Sequence, residues 1–318
     1  MQVYRSLQQI ASACGTSTVT VGAFDGIHRA HQELLRRVRE RARSRGAYSV
    51  AVTFDPHPAM VLAPEKAPRL LTPLALKLER MESGGLDRVL ILPFTLEFSR
   101  WTPERFVQEV IVQALCAESV FVGENFRFGH RQAGNPQVLE ELGRRFGFQT
   151  VVLEKMLVRK TVVSSSQIRG LLEQGNVVLA NRLLGYPFTV RGPVVPGLGI
   201  GRRQTVPTLN LGETGGLLPQ PGVYITVARP GGGTVIPAVS NVGTRPTFGE
   251  RGLGVETHLL ESWPGPPPAV MEVGFLRRLR AERKFDSAEQ LKEQILQDVR
   301  RAQRYFHRLR RAGIPLRW

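Results

Sequence analysis

The stretch VGAFDGIHRAHQELL at residues 21–35 has the strongest local pattern in the sequence. An apolar run at residues 18–22 ends at Gly22 and is followed by a turn through an Asp-Gly pair. An amphipathic segment then begins, with His28 and His31 near its start. This order predicts a buried strand, a tight turn and a helix, so that polar side chains collect where the strand ends.

Similar apolar runs recur up to about residue 154. They are TVTVG (18–22), YSVAVTF (48–54), DRVLIL (87–92), SVFVG (119–123) and FQTVVL (148–153). Helical patterns fill the intervals, as at residues 32–42 and 103–115. Runs rich in Val, Ile and Leu that alternate with helices favour a parallel, doubly wound α/β sheet, whose ligands bind at the carboxyl ends of the strands.

Beyond residue 186 the pattern changes to short strands separated by Gly- and Pro-rich turns. The strand-like pieces are FTVRGPVV (188–195), GVYITVA (222–228), TVIPAVSNVG (234–243) and GVETHLL (254–260). They predict a small antiparallel β-barrel. Two short helices are predicted just before it, one from Ser166 and one over residues 176–184, and a capped helix from Ser287 follows it. We therefore predict two domains, residues 1–186 and 187–318.

The chain of 318 residues has a net charge of +16, which favours anionic partners such as nucleic acid or small phosphate ligands. Arginine far outnumbers lysine, a bias that nucleotide composition alone can produce. Half of the excess lies in the helical tail at residues 277–318, which has no interleaved basic and aromatic stripe. We expect no specific nucleic-acid partner, because no recognisable binding module accompanies the charge.

The sequence also bears on the cellular compartment. No apolar run approaches the length of a membrane span, and Gln8 and Gln9 interrupt any signal-peptide core. Cys14 and Cys116 show neither a CxxC nor a metal-type spacing, so no disulfide framework is implied. These features predict a cytoplasmic protein with two inert thiols and no membrane partner.

The chemistry of the first domain starts from the HxxH pattern. Two imidazoles beside the N–H groups of a helix start can bind a triphosphate and stabilise charge that develops on an attacked phosphorus. A bare HxxH is more often a pair of surface histidines, and no third ligand supports zinc. Three segments near other strand ends favour the phosphate interpretation. They are TFDPHP (53–58), VGENFRFGHRQAGN (122–135) and VSSSQIRG (163–170).

These four stretches, in this order, resemble the adenylyltransferase module of the bacterial bifunctional riboflavin kinase/FAD synthetase family. The resemblance implies a Rossmann-like nucleotidyltransferase domain that joins the AMP part of ATP to FMN and releases pyrophosphate. It implies that the catalytic residues at the phosphates are His28, His31 and Arg169, and that ATP is also bound by Gly22, Phe24, Asp25, Ser165 and Ser166. It implies flavin contacts from Phe54, Pro56, His57, Asn125, Arg127 and Phe128. One departure is Ala30, where the family pattern GxFDGxHxGH has glycine.

The second domain contains GPVVPGLGIGRRQTVPTLNL (192–211), in which a Gly-rich turn precedes Thr208 and Asn210. A Thr hydroxyl and an Asn carbonyl are hard oxygen ligands suited to Mg²⁺, although PTxN alone occurs more often in ordinary loops. SNVGTRPTFG (240–249) supplies another turn. Glu256 lies on the strand-like piece that follows, where an isolated Glu usually faces solvent.

The order and spacing of these segments resemble the riboflavin kinase module of the same family, so the likeness extends over about residues 17–305. It implies that MgATP is bound by Gly199, Gly201, Thr208 and Asn210, with Thr208 and Asn210 as the metal ligands. It implies that Glu256 deprotonates the ribityl 5′-hydroxyl and that the flavin pocket is shaped by Asn241, Arg245 and Thr247. QTVPTLN (204–210) departs from the family's LGFPTAN.

The combined prediction is an enzyme that phosphorylates riboflavin to FMN and adenylylates FMN to FAD. ATP is the co-substrate, Mg²⁺ the cofactor, and riboflavin, FMN and ATP are the ligands. The alternative is a monofunctional FMN adenylyltransferase with a non-catalytic flavin-binding barrel. A non-enzymatic nucleic-acid or flavin-responsive binding protein is favoured only by the charge.

Overall fold

The computed structural model describes residues 1–13, 15–196, 207–244, 253–264, 266 and 268–316. Contacts divide the chain into two compact units, Met1–Ser164 and Ser165–Trp318. The predicted boundary after residue 186 assigns the two short helices between residues 165 and 184 to the first domain, whereas the contacts group them with the second unit. The predicted boundary stays a prediction.

The first unit contains a parallel sheet, with six strands in the described part of the chain. In sheet order they are β1 (Gln2–Tyr4), β4 (Arg88–Pro93), β3 (Tyr48–Asp55), β2 (Ser17–Val21), β5 (Ala117–Gly123) and β6 (Gln149–Leu153). The predicted parallel sheet is confirmed, and β1 is an addition to it. The strand order reverses between β2 and β5, and in such sheets ligands bind at the carboxyl ends of the strands beside this reversal.

Helices of the first unit lie between the strands, as the alternating pattern predicted. They are α1 (Leu7–Ala11), α2 (Arg29–Arg45), α3 (Pro58–Leu62), α4 (Leu74–Ser83), α5 (Pro103–Phe106), which continues as a π-helix over Val107–Ala114, and α6 (Pro136–Phe146). A short hairpin of β7 (Leu157–Val158) and β8 (Thr161–Val162) ends the unit. Helix α2 buries Leu34, Leu35, Val38 and Ala42 at a helical period and packs against β2 and β3. This packing places the start of α2 beside the end of β2.

The second unit contains a closed antiparallel barrel, which confirms the predicted barrel. In ring order its strands are β10 (Leu209–Leu211), β13 (Leu253–Leu259), β12 (Ile236–Thr244), β11 (Gly222–Pro230), β14 (Val270–Arg280) and β9 (Phe188–Val195). Strands β10 and β14 were not among the predicted pieces. Helices α7 (Ser165–Glu173) and α8 (Val177–Leu184) pack together, and α8 packs against β9 and β14.

The C-terminal helix α9 (Ala288–Arg311) covers the outer face of β11 and β12 with Ala302 and Phe306. Its predicted start is confirmed, because the hydroxyl of Ser287 accepts a hydrogen bond from the N–H of Gln290 at 3.2 Å. In its first half the most buried side chains are polar. Asp298 is 2% exposed and accepts a hydrogen bond of 2.8 Å from Nε of Arg280, so a buried ion pair joins α9 to β14.

Cys116 is disulfide-bonded, so the expectation of inert thiols is wrong. The sequence has one other cysteine, Cys14, which lies outside the described residues. Spacing along the chain could not show this bond, because the fold determines which distant cysteines come within bonding distance.

Membrane-spanning helices were also searched for. In the described ranges, no helix combines the length and the apolar character that crossing a bilayer requires.

Candidate active sites

The turn after β2 is fixed by buried hydrogen bonds. Phe24 is 1% exposed and has a φ of +50°, a strained conformation for a non-glycine residue that persists where the surroundings enforce it. Asp25 is 2% exposed, and its carboxylate accepts hydrogen bonds from the N–H groups of Leu71 (3.1 Å) and Thr72 (3.0 Å). The turn is thereby anchored to the segment that precedes α4.

His28 and His31 lie side by side at the N-terminus of α2. Their rings stack with centroids 3.6 Å apart, and the His31 ring meets the ring of Phe24 at 5.1 Å in an edge contact. Nδ1 of His28 accepts the backbone N–H of His31 at 3.4 Å, which makes His28 the N-cap of the helix. This hydrogen bond assigns the proton of the neutral His28 ring to Nε2, which can donate to an anion.

Burial governs the protonation of both rings. It lowers the pKa of His28 to about 4, against the raising effect of the Asp25 carboxylate. It also holds the pKa of His31 well below its usual range, and the charges of His28 and Lys77 lower it further. Nδ1 of His31 is buried and has no hydrogen-bond partner among the described residues. Both imidazoles are therefore neutral near pH 7, and an anion bound beside them would raise both pKa values.

The side chain of Lys77 reaches the same turn from α4. It is 5% exposed, and Nζ donates to the carbonyl of Ala23 at 2.7 Å and to the hydroxyl of Thr53 at 3.4 Å. The Thr53 hydroxyl donates to the same carbonyl at 3.2 Å. Burial lowers the pKa of Lys77, while Asp25 and Asp55 raise it. The sequence did not single out this residue, because a lysine in an amphipathic helix is ordinarily solvated.

An aromatic cavity of about 300 Å³ lies elsewhere in the first unit. Its walls include Phe94, Phe98, Trp101 and Phe106, together with the segment at residues 129–132. The Phe98 ring lies 5.0 Å from that of Trp101 and 5.6 Å from that of Phe94. Such a group of rings suits a planar aromatic ligand.

In the barrel, strand register aligns three of the predicted side chains. Asn210 of β10 is paired with Glu256 of β13, and Glu256 is paired with Asn241 of β12. Directly paired residues project from the same face of a sheet. Val255 and Thr257 on either side of Glu256 are 1% and 0% exposed, so alternation directs the three side chains outward from the barrel. A carboxylate is thus flanked by two amides.

Comparison with known proteins relates both units to one family. The FAD synthetase family matches residues 11–167, and the riboflavin kinase family matches residues 184–306. The bifunctional riboflavin kinase/FMN adenylyltransferase of Escherichia coli (strain K12) is 33% identical over 307 residues, which cover 96% of this chain and 98% of that protein. The protein of the same name from Pseudomonas fluorescens is 35% identical and covers 94% and 96%. The chain belongs to the bifunctional riboflavin kinase/FMN adenylyltransferase family.

The fold comparison agrees with this membership. A solved structure described as a macrolide-efflux protein from Streptococcus pneumoniae is 28% identical, covers 93% of this chain and 96% of its own, and has a TM-score of 0.83. The likeness shows a shared fold, and the description applies to that protein. Family membership confirms the predicted Rossmann-like and barrel folds, and it supports the bifunctional prediction over the monofunctional alternative.

Within the adenylyltransferase unit, two of the predicted flavin residues adjoin the aromatic cavity. The ring of Phe54 lies 5.6 Å from that of Phe94, and the ring of Phe128 lies 5.8 Å from that of Phe106. The sequence did not identify the four rings that line the cavity, because none of them belongs to one of the motifs.

The other predicted flavin residues are placed differently. Pro56 follows Asp55 through a cis peptide bond, and Nδ1 of His57 caps α3 by accepting the N–H of Ala59 at 3.2 Å. Asn125 and Arg127 are exposed. Their contact with flavin stays a prediction.

Three residues of the predicted triphosphate site lie on α7. Ser165 and Ser166 begin this helix, and Arg169 follows one turn later. The contacts group α7 with the kinase unit. That these residues complete a triphosphate site with His28 stays a prediction.

The kinase unit contains a contact that the sequence did not reveal. Nδ1 of His258 and the carbonyl oxygen of Pro207 are 2.8 Å apart, and because a carbonyl can only accept, Nδ1 carries the proton. His258 shares the outer face of β13 with Glu256, so this bond joins the segment of Thr208 to the strand of Glu256. The sequence did contain one indication: in GVETHLL, His258 lies two residues after Glu256, so alternation along a strand places both side chains on the same face.

Another close approach borders the same row of side chains. A methyl group added at Gly243 would clash with the carboxylate of Glu282 and would lie 3.2 Å from Nδ2 of Asn241. The remaining predicted kinase residues lie outside the described residues. They are Gly199, Gly201, Arg245 and Thr247.

Proposed function

We propose that the first unit transfers the adenylyl group of ATP to FMN and that the barrel phosphorylates riboflavin. The observation that carries the proposal is that each family match coincides with a cluster of chemically suitable side chains. The first match contains the stacked pair of His28 and His31, and the second contains Glu256 between Asn210 and Asn241.

In the adenylyl transfer, a phosphate oxygen of FMN attacks the α-phosphorus of ATP. The bond to the β-phosphate breaks, and pyrophosphate leaves. Nε2–H of His28 and the N–H groups at the start of α2 donate hydrogen bonds to the negative charge that grows on the leaving group. The low pKa of His28 lets a neutral ring receive ATP, and the anionic triphosphate then raises that pKa.

We place the isoalloxazine ring of FMN at the aromatic cavity. The planar ring system would contact Phe98 and Trp101, while Phe54 and Phe128 border the cavity from two sides. The cavity volume of about 300 Å³ lies at the lower end of the range for small-molecule sites.

In the phosphorylation, the carboxylate of Glu256 takes the proton of the ribityl 5′-hydroxyl while the hydroxyl oxygen attacks the γ-phosphorus of ATP. The bond to the β-phosphate breaks, and ADP leaves. Thr208 and Asn210 lie on the β10 side of Glu256 and would bind the phosphates, whereas Asn241 lies on the β12 side and would face the flavin. Positioning and charge neutralisation supply most of the acceleration in such transfers.

Mg²⁺ fits the oxygen donors of this site. The Thr208 hydroxyl and the side-chain carbonyl of Asn210 are hard ligands, and Asn210 is 6% exposed beside Glu256. Within the described ranges, no cluster of three or more His, Cys, Asp or Glu could hold a metal ion. Mg²⁺ at phosphate-transfer sites is usually held by one or two protein oxygens together with phosphate oxygens and waters. When bound, Mg²⁺ neutralises charge on the transferred phosphate.

The decisive experiment incubates the purified protein with riboflavin, ATP and Mg²⁺ and resolves FMN and FAD by chromatography. We expect FMN to appear first and FAD to follow, with pyrophosphate released in proportion to FAD. FAD formed from supplied FMN, without FMN formed from riboflavin, would favour the monofunctional alternative. A monofunctional adenylyltransferase makes neither product from riboflavin, so a parallel incubation supplies FMN. The absence of both FMN from riboflavin and FAD from supplied FMN would contradict both proposals. Because both reactions consume ATP, we also propose that the protein works in the cytoplasm.

The flavin position has its own test. Phe98→Ala should raise the KM for FMN about 10-fold or more, because an aromatic contact of roughly 1.5–3 kcal/mol is removed. Leu96→Ala is the matched control, since Leu96 is 59% exposed on the same segment. An unchanged KM for FMN in Phe98→Ala would place the flavin elsewhere.

A further inference from the structure

A buried cation lies behind the histidine pair, and no motif accounts for it. Lys77 is 5% exposed and donates to the carbonyl of Ala23, which belongs to the turn between β2 and α2. Burying a lysine is costly unless its ammonium group is well paired. In the described part of the chain, Nζ of Lys77 donates hydrogen bonds to two neutral oxygens, those of Ala23 and Thr53. The carboxylates of Asp25 and Asp55 favour the charged form of Lys77.

We propose that Lys77 is a positioning residue for adenylyl transfer, which orients the turn at residues 22–26 and, through it, His28 and His31 toward the phosphates of ATP. The inference rests on the proposed function of the first unit. Two donors converge on the Ala23 carbonyl, at 2.7 Å from Lys77 and 3.2 Å from Thr53. Ala23 in turn adjoins Phe24, whose strained backbone and ring contact with His31 need external support.

The charge of Lys77 adds a second effect. The charged groups that act on His31 are His28, on its own helix, and Lys77, from α4. Asp25 of the turn acts on both His28 and Lys77, and Asp55 at the end of β3 acts on Lys77. The positive charge lowers the pKa of His31 and disfavours its protonation before ATP arrives. The same charge attracts the anionic triphosphate. Removing it should therefore raise the pKa of His31 as well as loosen the turn.

The test compares Lys77→Met, Lys77→Arg and Thr53→Val in the full chain, with Lys66→Met as a control that removes an exposed lysine. The kcat and KM of FAD formation from FMN and ATP are measured from neutral to acidic pH. The His31 ring is titrated by NMR, with its resonance assigned by a His31→Gln variant. FMN formation from riboflavin reports on the other unit.

We expect Lys77→Met to lower the kcat of FAD formation about 10- to 100-fold, the size of effect that a slight misplacement of reacting groups produces. Its His31 midpoint and the acid limb of its pH profile should move to higher pH, whereas Lys77→Arg should keep both near wild type. Thr53→Val should lose rate without moving the midpoint, because it removes a hydrogen bond and no charge. Lys66→Met should match wild type.

A loss of rate in Lys77→Met with an unmoved His31 midpoint would reduce Lys77 to a structural residue and overturn the proposal. A wild-type rate in that variant would overturn it too. If Lys77→Met fails to fold, Lys77→Arg and Thr53→Val test the proposal in its place. In that case, a wild-type rate of FAD formation in Thr53→Val would contradict the proposal. If wild type makes no FAD from FMN, the proposed function fails, and the His31 midpoint still decides whether Lys77 acts on the histidine.

Discussion

The two candidate sites are built in different ways. In the adenylyltransferase unit, a carboxylate, two imidazoles and an ammonium group meet around one buried turn. Asp25, His28 and Lys77 each change the pKa of at least one neighbour. In the kinase unit, Asn210, Glu256 and Asn241 come from three strands, and the strand register places them side by side. The first arrangement is sensitive to changes of charge, while the second depends on strand alignment. This difference leads to separable effects of mutation.

The largest expected effect is that of His31→Ala on FAD formation. The variant removes an imidazole that stacks on His28 at the start of α2, so FAD formed from FMN should fall below detection. FMN should still accumulate from riboflavin, because Glu256 lies in the other unit. Chromatography of the products measures both reactions at once. FAD formation at the wild-type rate would remove His31 from the catalytic site.

Glu256→Gln should have the opposite selectivity. An amide of the same size cannot accept the hydroxyl proton, so FMN formation should fall on the order of 10²- to 10⁴-fold. FAD formation from supplied FMN should remain and would show that the variant is folded. Unchanged FMN production would identify Glu256 as an ordinary outward-facing strand residue. A wild-type protein that makes no FMN would instead point to the divergent QTVPTLN segment.

A third prediction concerns the pH dependence of stability. The pKa of His28 falls from 6.5 to about 4 on folding, so the folded state favours the neutral ring. Its contribution is present above pH 6.5 and is lost as the pH falls toward 4, by up to about 3 kcal/mol in the free energy of unfolding. His28→Asn replaces the capping Nδ1 with a side-chain oxygen that can accept the same N–H, and it removes the titration.

The measurement is urea unfolding at several pH values, with hydrogen exchange of the β2 amides as the readout. Wild type should lose stability between pH 6.5 and 4 more steeply than His28→Asn. Parallel pH dependence in the two proteins would show that His28 keeps an ordinary pKa in the folded state.

The smallest expected effect is that of Ala30→Gly, which restores the glycine of the family pattern. Ala30 lies in the first turn of α2, and one methyl group near a ligand contributes roughly 1 kcal/mol, so the KM for ATP should change about fivefold or less. The reaction itself should be unchanged. Steady-state kinetics with varied ATP concentration measure the KM for ATP in wild type and in Ala30→Gly. An inactive wild type made active by glycine would show that Ala30 blocks the site.

Sequence reasoning succeeded where one local pattern determines the structure. The strand runs are continuous in Val, Ile and Leu, and the turn at Gly22 follows directly from one of them, so the parallel sheet and the location of His28 could be predicted. The cap at Ser287 was visible for the same reason. Local patterns are sufficient when the interacting residues are close in sequence.

Sequence reasoning failed where the fold joins segments that are distant along the chain. Lys77 contacts a carbonyl that is 54 positions away, and nothing in the pattern of α4 marks this residue. His258 contacts a carbonyl 51 positions away, and the disulfide of Cys116 likewise depends on the folded chain. The rings of the aromatic cavity, such as Trp101, look like ordinary core residues in sequence.

The register of β13 limits how this chain can change in length. Side chains alternate along a strand, so inserting or deleting one residue before Glu256 would turn its carboxylate into the barrel interior, where Val255 and Thr257 now pack. Side chains at those positions are shielded from solvent, and burying an unpaired charge there would be costly. The exposed glycines at residues 231–233 between β11 and β12 present no such obstacle, and added residues there would extend into solvent. Related chains of different length should therefore carry their insertions in such turns and leave β13 ungapped.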